Sequence, residues 1–310
     1  PGVHFIEENL AGKITIETRA LADGTKVPCY IIQTKSIPHE HIMGPWSPET
    51  ITDGKDKGGK WFHGGKLHDV DGPFVKNIGQ LYNDEKWKLY NEDGTVRVTK
   101  TREAFMAAAR PDVDPAYTNH VVEGQAEWVE GLYLTVAIPV TPVRQDTPVN
   151  LSHGAMGLAL NGVAFDPPAP IEAILGAYTI APLDDHGGHL NPFEGYHYHA
   201  ATGSTKEVAQ SDGHAPLIGL ALDGYPIFAH LDTDGNPSTD LDECGGHSDE
   251  VRGYHYHAGS PGSNQIIKAF RGARGVTTYE GLSEASQPGG KGKGQKGKGK
   301  GPKGEGPQDE

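Results

Sequence analysis

The sequence predicts a mainly β protein with a few short helices, folded around one core domain made of two related halves. Glycine and proline, with 43 and 23 residues, make up about a fifth of the 310 residues, which is typical of a chain rich in turns. Short runs that alternate apolar and polar residues recur along the chain and favour strands. The two halves are indicated by the hexapeptide Gly-Tyr-His-Tyr-His-Ala, which occupies residues 195–200 and again residues 253–258.

The repeat extends upstream of the hexapeptide to residues 183–200 and 241–258. Each copy reads Leu-Asp-x-x-Gly-Gly-His, then five variable residues, then Gly-Tyr-His-Tyr-His-Ala. A shared spacing of this length indicates a duplicated unit rather than two chance histidine pairs. Because two copies are too few for a solenoid, they predict two half-sites within one domain.

The first 52 residues are interpreted as N-terminal strands of the core domain. Residues 13–21 alternate apolar and polar side chains, several of them β-branched, and predict a half-buried strand. Asp23 and Gly24 form the turn, and residues 27–34 return as the second strand of a hairpin.

Residues 53–130 are interpreted as an inserted region of mixed α and β structure. The strongest helix signal in the chain falls here, over residues 101–110. Thr101 is a suitable cap, an alanine-rich centre follows, and Pro111 ends the helix.

Residues 131–286 form the predicted core with the two repeats. A strand is expected over 131–140, a hairpin around Asn161-Gly162, and a short helix over 171–178. Between the repeats, residues 216–228 predict two strands joined by a turn at Asp223-Gly224. A last strand is expected over 265–270.

Residues 287–310 are rich in glycine and lysine and predict a disordered basic tail, since no apolar residue anchors them. The tail is either simply solvated or binds an acidic polysaccharide. The net charge of −14 and a tail without aromatic side chains disfavour nucleic acid as a partner. No run of about 18 apolar residues predicts a membrane span, and no signal peptide is visible.

The histidines of the repeats predict metal binding. In a strand, residues i and i+2 point to one face, so His197 and His199 face the same way, with the tyrosines opposite. His255 and His257 repeat this arrangement. A third imidazole stands eight residues before each pair, at His189 and His247, and we expect it to arrive from a preceding loop. Three histidines with an open position are typical of catalytic zinc or of copper.

A structural explanation competes, in which the histidines and tyrosines only hydrogen-bond within the core. A single His-x-His means little, but two copies with equal spacing favour metal. His186 and Cys244 occupy equivalent places in the two copies; either is a weaker ligand candidate, and Cys244 could instead pair with Cys29. Whether the copies form two sites or one composite site is left open.

Further polar residues have weaker roles. Three carboxylates are candidates to orient imidazole N–H groups, or are simply turn residues. They are Asp184, Asp242 and Asp223. His153, His214 and His230 are interpreted as outer or surface residues.

An acidic segment between the repeats has the oxygen spacing of a calcium loop. A proline stands where an EF-hand requires glycine, and no flanking helices are predicted, so the alternatives are a different kind of calcium loop or an acidic surface turn. The candidate ligands are Asp232, Asp234, Asn236, Asp240 and Glu243.

These motifs resemble the YHYH-domain family of bacterial, mostly exported proteins. The resemblance runs from about residue 27 to about residue 275, apart from the region 53–130. It implies an extracellular or periplasmic location and adds His41 as a metal candidate, but it implies no reaction. The segments that carry it are Ser-Ile-Pro-His-Glu-His-Ile-Met-Gly-Pro-Trp at 36–46, Gly-Leu-Ala-Leu-Asn-Gly-Val-Ala-Phe-Asp at 157–166, and residues 188–199, 216–227 and 241–257.

The sequence therefore predicts an exported protein that holds copper or zinc in two His-rich half-sites, with calcium as a further possibility. No residue is assigned a catalytic role. One alternative is a metal-dependent hydrolase or copper oxidoreductase, and another is an extracellular adhesion or matrix protein that binds acidic polymers. The predicted metal ligands are His189, His197, His199, His247, His255, His257 and His41, with His186 and Cys244 as weaker candidates.

Overall fold

The computed structural model describes residues 4–108, 113–191 and 194–281, and these residues form a mainly β protein with few helices, as predicted. The strands are β1 (Thr15–Ala20), β2 (Lys26–Lys35), β3 (Lys60–His63), β4 (Lys66–Asp69), β5 (Tyr133–Pro139), β6 (Arg144–Val149), β7 (Gly157–Ala159), β8 (Ala164–Phe165), β9 (Gly188–Asn191), β10 (Gly195–Tyr198), β11 (Leu217–Ala221), β12 (Pro226–Phe228), β13 (Gly246–Asp249), β14 (Gly253–His257), β15 (Phe270–Gly272) and β16 (Val276–Glu280). The α-helices are α1 (Gly72–Leu81), α2 (Arg102–Ala108) and α3 (Ile171–Gly176). Short 3₁₀ turns cover Glu7–Asn9, Lys55–Lys57, Pro115–Tyr117, Ala126–Trp128 and Pro261–Ser263.

The largest sheet has eight strands in the order β13-β14-β12-β11-β7-β8-β10-β9. Each edge is an antiparallel hairpin, β9–β10 or β13–β14, made by one copy of the repeat. The inner strand of each hairpin runs parallel to its neighbour, β8 or β12. The two central hairpins then meet through an antiparallel pair, β7–β11. The order of pairings is therefore the same from either edge, and the two repeats lie at opposite edges.

The central hairpins form where the Asn-Gly and Asp-Gly dipeptides predict them. β7 pairs with β8 across Asn161-Gly162, and β11 pairs with β12 across Asp223-Gly224. Both glycines have positive φ, +81° and +90°, a conformation that favours glycine over residues with a Cβ.

A second sheet, in the order β1-β2-β5-β16, contributes to the same main core. Ile32 on β2 and Ile138 on β5 belong to the same buried cluster as Leu158, Phe165 and Tyr198 of the large sheet. All six residues of β1, an edge strand that pairs with β2, are exposed, so neither face of this strand is covered by the core. The prediction that this strand is half-buried is therefore wrong, although the strand exists.

The last predicted strand is displaced. Ile266 and Ile267 are buried in the core but are not in a strand, and β15 begins only at Phe270. The apolar residues are therefore buried as expected, but they do not pair in a sheet. A short apolar run does not by itself distinguish a strand from another buried segment.

The region 53–130 contributes the β3–β4 hairpin, α1 and α2. A second buried cluster, which includes Trp61, Val75 and Ile78, packs β3 against α1, whereas Phe105 of α2 belongs to the main core. Helix α1 was not predicted, although Asp71 caps it by accepting from Phe74 N at 2.8 Å. Asp-Gly-Pro before an apolar run is the signal that could have found it.

Helix α2 begins one residue after the predicted start. Thr101 caps it, since its Oγ1 accepts from Ala104 N at 3.2 Å. The predicted end at residue 110 lies outside the described residues. Among the described residues, none of the helices is long and apolar enough to cross a membrane.

Candidate metal centres

The first repeat folds into the β9–β10 hairpin, which brings three imidazoles together. His189 on β9 lies directly opposite His197 on β10, and His199 follows just beyond the end of β10. The third imidazole was expected from a loop, but it comes from the paired strand itself, so its position is set by the ladder. We call His189, His197 and His199 the first centre.

The second repeat forms an equivalent cluster at the opposite edge of the sheet. His247 on β13 lies opposite His255 on β14, and His257 ends β14. His214, in the segment before β11, joins them, and all four offer a nitrogen within 4.8 Å of the others. We call these four residues the second centre. Four strands separate the two hairpins, so the centres are separate and do not form one composite site.

Within each centre the Nε2 atoms face one another at close range. His197 Nε2 lies 3.1 Å from Nε2 of both His189 and His199. In the second centre the closest Nε2 pairs are 3.0–3.2 Å apart. Ligand atoms at 2.0–2.1 Å around a tetrahedral zinc ion are about 3.3 Å from each other. Both clusters therefore have the size of a coordination sphere.

The other ring nitrogen of most of these imidazoles is held by the backbone. A carbonyl oxygen can only accept, so the Nδ1 atom facing it carries the proton and Nε2 carries a lone pair. The Nδ1 contacts are His189 with Ala181 O at 3.3 Å, His197 with Gly195 O at 3.1 Å, His199 with Pro167 O at 2.7 Å, His214 with Ala215 O at 2.9 Å, His255 with Gly253 O at 2.9 Å and His257 with Ala229 O at 3.2 Å.

This tautomer makes several lone pairs converge without a proton between them. Such an arrangement is repulsive unless a cation lies at the point of convergence. Backbone carbonyls that hold the second ring nitrogen are also the usual support of histidine ligands to metals. The geometry of both centres therefore fits a metal ion.

Burial lowers the pKa of five of these imidazoles, His189, His197, His199, His255 and His257. It lowers the pKa of His189 to about 3, with repulsion from His197 as the next cause. Burial likewise lowers the pKa of His255 and His257 to about 4. For His199 the pKa falls well below its usual value for the same reason. At neutral pH these rings are in the neutral form that binds metal.

His214 was not selected as a ligand from the sequence. A signal was present, because Leu-Ala-Leu-Asn-Gly at 158–162 and Leu-Ala-Leu-Asp-Gly at 220–224 extend the repeat upstream. One histidine, His153 or His214, precedes each of these stretches. The structure brings only His214 into a centre, whereas His153 is exposed and outside the first one.

Two carboxylates stand beside the first centre, and neither was predicted. Oxygens of Asp166 and Glu194 lie within 4.8 Å of each other and of a His197 ring nitrogen. The two carboxyl groups hydrogen-bond to each other. Burial raises the pKa of Asp166 to about 6, and burial followed by the Asp166 charge raises that of Glu194 to about 8. The first centre thus has acidic neighbours.

His41 and His186 lie outside both centres, in a separate group with Asp184, and their role as ligands stays a prediction. A nitrogen of each lies within 4.8 Å of an Asp184 oxygen, but the two rings stack with centroids 3.7 Å apart and planes 13° apart. Because lone pairs lie in the ring plane, two parallel stacked rings cannot both point at one ion. His41 instead contacts Glu40 Oε1 at 3.1 Å and the Tyr196 hydroxyl at 3.3 Å.

The three carboxylates predicted to orient imidazoles bind tyrosines instead. They lie on the face of the sheet that carries the tyrosines, opposite the imidazoles, so the imidazole N–H groups use carbonyl oxygens. The hydroxyl of Tyr196 donates to Asp184 at 2.8 Å, that of Tyr254 to Asp242 at 3.0 Å and that of Tyr256 to Asp223 at 2.5 Å.

The residues of the predicted calcium loop do not converge. Among the described residues, no three of its carboxylates lie within 4.8 Å of one another. Asp232 Oδ1 accepts from Ala215 N at 2.7 Å, and Glu243 Oε1 pairs with Arg271 at 3.0 Å. These oxygens are used for internal contacts, so the structure gives the calcium site no support. The predicted ligands were Asp232, Asp234, Asn236, Asp240 and Glu243.

Cys244 also lies away from both centres. It is fully buried in the main core, and neither it nor Cys29 is in a disulfide. Of the alternatives left open for Cys244, the pairing with Cys29 is therefore not formed. The basic tail over 287–310, with its possible polysaccharide site, lies outside the described residues.

The comparisons with known proteins agree with the resemblance carried by the motifs. The family model described as YHYH protein matches residues 135–240, about a third of the chain. The match includes β5 to β12 and the first repeat, and it ends just before the second repeat. No curated protein and no solved structure matches the chain.

Proposed function

We propose that this chain is an exported protein that binds two transition-metal ions, one at each centre. The observation that carries the proposal is the convergence of Nε2 lone pairs in rings whose Nδ1 protons are held by carbonyl oxygens. The arrangement is present at both edges of the large sheet, where paired strands hold His189 opposite His197 and His247 opposite His255.

Zinc and copper are the proposed ions. Imidazole ligands suit zinc, copper, iron and nickel, whereas calcium and magnesium require oxygen ligands. The first centre offers three imidazoles and the second offers four. Three ligands leave a coordination position open, while four can complete a tetrahedral sphere.

Metal content tests this proposal. Protein stripped by a chelator and then equilibrated with Zn²⁺ or Cu²⁺ should retain two ions per chain after gel filtration. His197→Ala and His255→Ala should each retain one. His63→Ala, a control on β3, should retain two. A folded protein that takes up neither ion, or the same number in every variant, contradicts the proposal.

Export is the part of the proposal that rests on the resemblance to a mostly exported family. Fractionation of cells that express the native gene tests it. The protein should appear in the periplasm or the medium. Recovery only from the cytoplasm of its native host contradicts this part and leaves the metal sites untouched.

A metal-dependent hydrolase is a second candidate, favoured by the carboxylates beside the first centre. A metal ion there would supply an activated water molecule. Glu194 and Asp166 lie beside His197, where a proton can be accepted or returned. Hydrolysis of a p-nitrophenyl ester that depends on Zn²⁺ and is lost in Glu194→Gln, with two ions still bound, would support this activity. Equal rates of ester hydrolysis in Glu194→Gln and the parent protein would contradict a hydrolase role for this carboxylate.

A further inference from the structure

A cavity of about 170 Å³ opens beside the second centre. It is several times larger than the roughly 30 Å³ that a water molecule occupies in the liquid. His257, whose Nε2 lies 3.2 Å from His247 Nε2, forms part of its wall. The cavity therefore reaches the edge of the proposed metal site.

The polar wall of the cavity offers groups for a ligand next to the ion. Ser238 Oγ lies 3.1 Å from His257 Nε2, which places the hydroxyl beside the second centre. His230 contacts Ala258 O through Nδ1 at 3.1 Å, and its Nε2 has no partner among the described residues. Gln265 adds an amide to the same wall.

Lys268 gives the wall its positive charge. No carboxylate of the described residues forms an ion pair with it, although the chain is acidic overall, with a net charge of −14. Its backbone is fixed, since Lys268 N donates to Cys244 O at 3.1 Å. Lys268 is exposed at the rim of the cavity, and a lysine there without an anionic partner favours an anionic ligand.

The rest of the wall is apolar. Pro237, Leu241, Ala258 and Ile266 line it together with the polar groups. Such a surface contacts carbon atoms well but gains nothing from inorganic phosphate, which is polar on every side. The cavity thus suits a short carbon chain that ends in a carboxylate.

Gly245 of the second repeat lines this cavity, whereas the equivalent Gly187 of the first repeat is covered. A Cβ on Gly187 would lie 2.2 Å from Ala200 O and 3.1 Å from a Thr202 carbon, so the chain covers this position. On Gly245 a Cβ would meet only ordinary contacts, the nearest being Lys268 Cγ at 3.7 Å. The two centres therefore differ in access, although the repeats match.

We propose that the second centre binds a small organic acid in this cavity, with the carboxylate held by Lys268 and Ser238 and the carbon chain against the apolar wall. The inference rests on the proposed function, because it requires an ion at the second centre. Zinc can add a fifth ligand, so four imidazoles do not exclude such a partner.

The test uses full-length protein loaded with Co²⁺, whose visible spectrum reports on its ligands, and succinate as the probe. Succinate should change the spectrum of the parent protein and of His197→Ala, which keeps only the second ion. It should not change that of His255→Ala. Lys268→Ala should bind succinate at least tenfold more weakly with two ions still bound, and Lys268→Arg should recover most of the affinity.

Lys26→Ala, on an exposed position of β2, is the matched control and should bind succinate like the parent protein. Two bound ions with no response to succinate, or an unchanged affinity in Lys268→Ala, would overturn the inference and leave the proposed function standing. Phosphate that binds as tightly as succinate would overturn the assignment to an organic acid. A protein that binds no Co²⁺ would overturn the proposed function, and this inference with it.

Discussion

His189 lies directly opposite His197 in the β9–β10 ladder, and their Nε2 atoms are 3.1 Å apart. His247 and His255 repeat this relationship in the β13–β14 ladder, at 3.0 Å. Cross-strand partners have a separation fixed by the backbone hydrogen bonds. Each centre is thus positioned by a sheet edge before any metal binds.

Removal of His214 should weaken the second centre without abolishing it. Three imidazoles remain in His214→Ala, so we expect zinc still to bind this centre, but with an affinity lower by at least about 10- to 100-fold, the loss seen when only an outer partner of a ligand is removed. Competition with a zinc indicator measures the change. His153→Ala is the matched control, because His153 precedes the equivalent strand but is exposed, and its affinity should equal that of the parent protein. An unchanged affinity in His214→Ala would show that His214 is not a ligand.

The zinc affinity of the first centre should depend little on pH between 7.5 and 5.5. Burial lowers the pKa of His189 to about 3, so the neutral ring persists as the pH falls and protons compete only near that value. If the three rings had ordinary pKa values near 6.5, protonation of each ring at pH 5.5 would instead lower the zinc affinity by about tenfold. Asp166 beside the centre, whose pKa is raised to about 6, gains a proton in this pH range. The loss of its negative charge should lower the zinc affinity by less than about tenfold.

The measurement is zinc competition in His255→Ala, which isolates the first centre. A loss of 100-fold or more between pH 7.5 and 5.5 would show that the three imidazoles titrate normally. The same titration of the unfolded chain in urea supplies the comparison, since its histidines are solvated.

Tyr256→Phe should destabilise the fold and leave metal binding intact. The Tyr256 hydroxyl donates to Asp223, which is fully buried, and accepts from Arg271 N at 2.7 Å. Loss of this group leaves a buried acceptor and a buried donor short of a partner, at about 1–3 kcal/mol for such a group. Urea unfolding should show the change, while the ion count stays at two because the hydroxyl is on the face opposite the imidazoles.

Tyr133→Phe, at a partly exposed position of β5, should change the free energy of unfolding by less than about 0.5 kcal/mol. If Tyr256→Phe is still folded but has lost the ion of the second centre, the tyrosine face and the imidazole face of the large sheet do not act independently, which contradicts this account.

Asp71→Ala should lower the stability of the chain by about 1 kcal/mol, because it removes the cap of α1. Asp71→Asn keeps an accepting oxygen and should remain close to the parent protein. Thermal unfolding measures both. Equal melting temperatures for Asp71→Ala and the parent protein would mean that the capping bond contributes nothing.

The parts of the fold that the sequence predicts are those set by local rules. Asn161-Gly162 and Asp223-Gly224 select hairpins, and the period of two places His197 and His199 on one face. These rules need only neighbouring residues, so one chain is sufficient to apply them.

The parts that were missed depend on contacts between distant segments. His214 joins the second centre from the segment before β11, where the neighbouring Ala215 N donates to Asp232, and a sequence pattern does not reveal such contacts. Asp166 follows β8 and Glu194 precedes β10, and only the complete fold brings their carboxyl groups together. His186 matches Cys244 in the repeat, but its ring is stacked on His41 from outside the repeat.

Anomalous diffraction at the zinc edge, from crystals of protein equilibrated with Zn²⁺, tests the central claim most directly. We predict two peaks, one within about 2.1 Å of Nε2 of His189, His197 and His199, and one within the same distance of Nε2 atoms of the second centre. Crystals without a peak at either position, or with a peak only beside His41 and His186, would contradict the account.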